Sequence, residues 1–167
     1  MHAMTKENLA AAFAGESQAH MKYLAFSAKA EEEGYPEVAR LFRAISYAEQ
    51  VHAINHLKEL SGVGTTKENL AAAIGGESFE NTEMYPAYNA VAKMQSEKGA
   101  MLSIHYALEA EKIHEVMYGE AKELIKTGQD IDGAPVYICP ICGFTVIGDP
   151  PERCPVSRTP KEKFVKF

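Results

Sequence analysis

No stretch of this 167-residue chain approaches the roughly 20 consecutive apolar residues that a membrane-spanning helix needs. The N-terminus also lacks a basic segment followed by an apolar one, so nothing marks export, and the expected location is cytoplasmic. Positive charge is in short supply. Seventeen Lys and Arg against 23 Asp and Glu leave a formal charge of -6, which provides no electrostatic basis for nucleic acid or an anionic membrane as partner. Cysteine is scarce and confined to one short stretch, at Cys139, Cys142 and Cys154. An odd number crowded together fits metal ligation better than a disulfide framework.

What the chain has in quantity is apolar residues, 46 %, and a repeat. Thr5-Lys6-Glu7-Asn8-Leu9-Ala10-Ala11-Ala12 recurs letter for letter as Thr66-Lys67-Glu68-Asn69-Leu70-Ala71-Ala72-Ala73, and Gly15-Glu16-Ser17 returns as Gly76-Glu77-Ser78. The offset is 61 residues; a second pair, Glu49-Gln50-Val51-His52 and Glu111-Lys112-Ile113-His114, follows at nearly the same spacing. Two homologous halves are the expected origin.

Each half reads as two helices. The first runs from Thr5, taken as N-cap, to Glu33, where Gly34-Tyr35-Pro36 breaks it. The second begins at Pro36 and carries Val38, Leu41, Phe42, Ile45, Ala48 and Val51 as one apolar stripe before Ser61-Gly62-Val63-Gly64. The third starts at Thr66 and contains Pro86, which predicts a lost hydrogen bond and a kink. A boundary near Gly99 precedes a last helix from about Ala100 to Lys126. Short turns favour antiparallel neighbours, so the expected fold is mainly α, a four-helix bundle over residues 4–127. A polar linker over 128–136 then leads to a small cysteine-bearing domain over 137–167, where helical periodicity stops.

Glutamate and histidine three apart lie on one helix face, so Glu49 with His52 and Glu111 with His114 are each arranged to grip one centre. One such pair is commonplace on a solvated helix; two at repeat-related positions are not. The other two helices add Glu16 and Glu77, also repeat-related. One Glu and one Glu-x-x-His from each half matches the known inventory of the ferritin-like di-iron class. Glu16 sits among Ala12, Phe13, Ala19 and Tyr23, and Glu111 among Ala107, Leu108 and Met117. Unpaired charges there are costly, and carboxylates gathered in a core take up protons unless cations neutralise them. Mixed carboxylate and imidazole ligation suits iron and manganese and tolerates zinc. Glu80, three after Glu77 where the first half has Ala19, adds a carboxylate to that face. Tyr23 and Tyr85 follow Glu16 and Glu77 by seven and eight residues, either as hydrogen-bonding neighbours of the ligands or as core packing. His20, His56 and His105 have no repeat partner and read as polar or packing residues.

The C-terminal stretch carries Cys139-Pro140-Ile141-Cys142-Gly143 and Arg153-Cys154-Pro155-Val156-Ser157. Two Cys-x-x-Cys knuckles would make a tetrahedral thiolate site for zinc or a single iron. Here the second knuckle ends in serine. Three outcomes stay open: Ser157 coordinates weakly, leaves an open position, or leaves the site empty.

Over nearly its whole length the chain resembles the rubrerythrins, on Ala14-Gly15-Glu16-Ser17-Gln18-Ala19, both Glu-x-x-His pairs, Gly76-Glu77 with Glu80, Met84-Tyr85-Pro86 and a rubredoxin-like tail. The resemblance implies a site for two iron ions from Glu16, Glu49, His52, Glu77, Glu80, Glu111 and His114, with Glu49 and Glu111 bridging. Glu80 and His52 would exchange as ligands to one iron between oxidation states. It implies a peroxidase reducing hydrogen peroxide to water, with Glu16, Glu49, Glu80 and Glu111 at the catalytic centre. Electrons would come from an NAD(P)H-dependent rubredoxin reductase or a rubredoxin, through a rubredoxin-type iron centre; one iron or zinc is the expected occupant at Cys139, Cys142 and Cys154. It further implies a cytoplasmic homodimer. The rival reading is a ferritin-type ferroxidase or iron-handling protein, which needs the bundle ligands but no cysteine tail.

Overall fold

The computed structural model describes all residues, Met1–Phe167. The fold class is the expected one: mainly α, with four long helical rods of the ferritin-like kind and a small C-terminal sheet carrying the cysteine knuckles. The chain divides into two compact units, Met1–Gly64 and Thr65–Phe167. No helix is long and apolar enough to cross a membrane.

The first unit is a helical hairpin. Helix α1 (Ala3–Glu32) starts before Thr5 and has no side-chain cap, contrary to the expected Thr5 N-cap. The repeat explains this: the residue that caps the second unit is Thr65, and its counterpart 61 residues earlier is Met4, which has no oxygen to offer. Gly34, at φ +81°, makes the left-handed turn that most side chains avoid, and α2 (Pro36–Glu59) begins with proline in its first turn.

The two helices meet through small residues. Ser27 and Ala30 of α1 and Ala39, Ser46 and Ala53 of α2 are the buried ones, and their size lets the backbones approach closely. The hydroxyls are satisfied across the contact: Ser27 donates to the Ala39 carbonyl at 2.9 Å, and Ser46 to the His20 carbonyl at 2.9 Å. His20 therefore packs against α2, its Nδ1 2.9 Å from the Ser46 carbonyl oxygen. The apolar stripe expected on α2 is not what the hairpin buries, for Val38, Leu41, Ile45 and Val51 remain exposed. Side chains of that size would hold the helices too far apart for these serine bonds.

The second unit opens with a capping box in which the Thr65 hydroxyl accepts from the Glu68 N–H and the Glu68 carboxylate accepts from the Thr65 N–H at 2.7 Å. Helix α3 (Thr66–Phe79) passes through a π-helical turn, Glu80–Met84, into α4 (Tyr85–Met94). The irregularity read from Pro86 takes this form: in the wider turn the Tyr85 N–H reaches the Glu80 carbonyl, five residues back. After a turn with Ser96 at φ 59°, α5 runs from Lys98 to Lys126, two residues ahead of the expected start and with Gly99 inside its first turn. Strands β1 (Val136–Ile138), β2 (Thr145–Ile147) and β3 (Val165–Lys166) form an antiparallel sheet in the order β2-β1-β3. The cysteines are its core, with Phe144, Val156, Phe164 and Tyr106 of α5 packed on them.

Candidate metal centre

Each unit gathers one set of the expected ligands. In the hairpin, Glu16 on α1 and Glu49 and His52 on α2 have their ligand atoms within 4.8 Å of one another. His52 Nδ1 lies 3.0 Å from a Glu49 carboxylate oxygen and 3.8 Å from one of Glu16. In the second unit, Glu77 on α3 meets Glu111 and His114 on α5 within the same 4.8 Å limit, and His114 Nδ1 is 2.6 Å from a Glu111 carboxylate oxygen. The three-residue spacing delivers both pairs as read, since α-helical geometry alone puts Glu and His of one pair side by side.

The second set is crowded with carboxylates. Burial, then a hydrogen bond and charge repulsion from Glu111, with further repulsion from Glu80 and Glu115, push Glu77 up to about 8. Glu80, the first residue of the π turn, is also raised, by burial first and then by the Glu111 charge, while His114 acts the other way. It therefore lies within electrostatic reach of the set without joining its close cluster. Tyr85 is raised by burial and by Glu80, Glu111 and Glu77, so it neighbours the carboxylates. Tyr23 takes the packing role instead, its ring centroid 6.0 Å from that of Phe42. Tyr85 thus stands beside carboxylates and Tyr23 among aromatic rings.

Three observations test the fit to metal. Glu77 keeps its proton at neutral pH, as a carboxylate does when no cation neutralises its neighbours. His114 Nδ1 and a Glu111 carboxylate oxygen converge to 2.6 Å. The amide oxygen of Asn81, in the π turn, is buried with no hydrogen-bond partner, while its NH2 group donates to Glu115 at 2.8 Å. Converging carboxylates and imidazoles with a buried amide oxygen left unpaired beside them fit divalent cations, and the donor set suits iron.

At the knuckles, Cys139, Cys142 and Cys154 are buried with their sulfurs within 4.8 Å of one another. The Ser157 hydroxyl stands beside them, 3.2 Å from Cys139 Sγ and 2.7 Å from the Thr159 hydroxyl. Burial raises Cys139, but the Ser157 and Thr159 hydroxyls and the Ile141 and Cys142 N–H groups outweigh it and hold the thiol down to about 6. Burial pushes Cys142 up to about 11, against the Phe144 N–H. Cys142 and Cys154 bring their sulfurs within 3.4 Å of one another, and a metal bound at the three cysteines would displace the proton that burial holds on Cys142.

The model of the family "Rubrerythrin" matches residues 7–122 and that of "Rubrerythrin, rubredoxin-like domain" matches residues 137–165. The chain belongs to the rubrerythrin family. Rubrerythrin-2 of Clostridium acetobutylicum is 44 % identical, over 99 % of this chain and 98 % of its own length. Nigerythrin of Nitratidesulfovibrio vulgaris is 33 % identical, over 98 % of this chain and 86 % of its own. A solved structure titled as the partially reduced state of nigerythrin aligns at a TM-score of 0.59 with 33 % identity, over 98 % of this chain and 86 % of that one.

Rubrerythrins are oxidoreductases, and this member has the family's carboxylate and histidine sets for two iron ions together with a three-cysteine knuckle consistent with rubredoxin-like iron. Three neighbours of the site were missed in the sequence. Glu115 is one turn after Glu111 on the same helix face, a spacing that marks it. Asn81 follows Glu80 in the π turn. Thr145 comes from β2, and nothing in its local sequence signals that its hydroxyl lies 2.8 Å from His114 Nε2.

Proposed function

We infer that this rubrerythrin is a non-haem di-iron peroxidase, reducing hydrogen peroxide to two waters with two electrons and two protons. Electrons pass through the cysteine-bearing domain, residues 137–167, from an NAD(P)H-dependent rubredoxin reductase or a rubredoxin, to the helical part, residues 4–127. The observation that carries this reading is the knuckle packed on α5, the helix that bears Glu111 and His114: Tyr106 of that helix touches the cysteine core, and Gly143 faces Ala110. A ferroxidase or iron-storage protein has no use for a thiolate centre there.

Glu16, Glu49 and His52 with Glu77, Glu80, Glu111 and His114 would hold the iron. Bound iron supplies the two electrons; the protein fixes ligand geometry and excludes competing reactions. Glu80, in the π turn, and His52, whose side chain is 53 % exposed, would exchange as ligands to one iron between oxidation states. Ser157 makes the thiolate centre the weaker member of the pair, because a hydroxyl is harder to deprotonate than a thiol. A homodimer in the cytoplasm completes the reading, since Phe26, Leu41 and Ile45 are apolar and exposed in one chain.

Metal analysis followed by anaerobic reduction and mixing with peroxide is the test. We expect two irons per chain in the carboxylate sets and consumption of one peroxide for each reduced pair. Accumulation of ferric mineral from added ferrous iron, with peroxide left unconsumed, would return the protein to the ferroxidase class.

A further inference from the structure

Thr145 is buried, and its hydroxyl touches two groups: His114 Nε2 at 2.8 Å and the Gly143 carbonyl oxygen at 2.9 Å. A carbonyl oxygen only accepts, and a hydroxyl has one proton to give. That proton goes to Gly143, so toward His114 the hydroxyl is an acceptor and Nε2 must carry hydrogen. A neutral imidazole has one N–H, which leaves a lone pair on Nδ1, the atom 2.6 Å from the Glu111 carboxylate. Two lone pairs facing at that distance require a proton or a metal between them.

The acceptor that orients Thr145 is itself held. Gly143 has φ +77°, its N–H donates to the Cys139 carbonyl at 3.0 Å, and a Cβ on it would stand 3.4 Å from the Ala110 side chain of α5. The chain of bonds therefore runs from the cysteine knuckle through Gly143 and Thr145 to a histidine one turn beyond Ala110.

We propose that Thr145, supplied by the rubredoxin-like domain, is a positioning residue that sets the tautomer and ring orientation of His114 so that Nδ1 is presented to metal. The proposal rests on the di-iron reading above. It assigns the two histidines different mobility: His114 is engaged at both nitrogens and its side chain is 27 % exposed, against 53 % for His52. Partners behind a metal-bound histidine typically alter affinity roughly 10- to 100-fold.

The experiment compares the wild type with Thr145→Val, which keeps the shape and removes the hydroxyl, and Thr145→Ser, which keeps the hydroxyl. Cobalt(II) replaces iron, because thiolate-bound cobalt has intense charge-transfer bands that separate the cysteine site from the carboxylate sites. Histidine tautomers are read by long-range nitrogen–proton NMR on zinc-loaded protein. We expect Thr145→Val to weaken cobalt binding at the carboxylate site roughly 10- to 100-fold, with the Nδ1–H tautomer appearing for His114, and Thr145→Ser to restore both. Unchanged affinity and an unchanged Nε2–H tautomer in the valine variant would overturn the proposal and leave the di-iron reading standing. A loss that serine fails to restore overturns it too, as damage to packing. Wild-type protein that binds cobalt only through its thiolates would remove the di-iron reading and the proposal with it.

Discussion

Metal-free protein should lose stability as pH rises, because Glu77 is held protonated in the fold. Its ordinary value of 4.5 is raised to about 8, so between those values the folded state binds more protons than the unfolded one. The stabilising contribution is fully present below the unfolded value and disappears as pH climbs through the folded one. At about 1.4 kcal/mol per pH unit, the complete change is on the order of 5 kcal/mol. Like charges around Glu77 broaden its titration and water penetration reduces the effect, so a loss of about 2 to 5 kcal/mol from pH 5 to 9 is expected. Cys139 works in the opposite direction, since a thiol held down to about 6 adds stability as pH rises past that value. The comparison must cancel it. Glu77→Gln does so, because glutamine imitates the protonated acid and leaves the knuckle unchanged. Urea unfolding in chelator, followed by helical circular dichroism at pH 5 and 9, should show the two proteins alike at pH 5 and the variant more stable at pH 9. Equal pH slopes for wild type and Glu77→Gln would refute the carboxylate-crowding account. Loading with iron should abolish the wild-type decline, since cations then do what the protons did.

Glu80→Ala should leave iron content nearly unchanged, because six ligands remain, but slow peroxide oxidation of the reduced protein roughly 10- to 100-fold in stopped flow. Undiminished oxidation in that variant would make Glu80 an ordinary helix-surface residue. Ser157→Cys should speed turnover driven by a rubredoxin-type reductase by at least roughly tenfold, the low end of what altering even an outer partner of a metal ligand costs. Chemically reduced protein should consume peroxide equally fast with either residue, and a serine form that accepts electrons as quickly as the cysteine form would show that the hydroxyl serves the route.

The two Glu-x-x-His pairs were legible because their geometry is local: helical pitch puts residues three apart on one face wherever the helix lies. The π turn was also written in the sequence, though its meaning was not. Glu16 and Glu77 are 61 apart, while Tyr23 and Tyr85, like Glu49 and Glu111, are 62 apart. One extra residue therefore falls between Glu77 and Tyr85, and a helix absorbs one extra residue as a turn of five-residue hydrogen bonds. Reading Pro86 alone led to a kink. The Thr5 cap failed for a related reason, since the repeat was followed from the first matching letter and the capping residue, Thr65, stands one before it.

Length, composition, the repeat and ligand spacing determined by themselves that this chain is helical, duplicated, and built to bind metal at two sets of carboxylates and histidines and at a cysteine knuckle. These depend on the helical period and on side-chain chemistry, both of which are short-range. Tertiary structure alone decided that serines and alanines, rather than the large apolar stripe, join α1 to α2, because close helix approach depends on the size of residues facing each other from distant positions. It alone decided that Glu77 is the carboxylate that holds a proton, since that follows from burial and from the number of like charges converging in space. It also placed Thr145 against His114, a contact between residues 31 apart in sequence, which no periodicity encodes because it depends on how a strand of one small sheet comes to rest on α5.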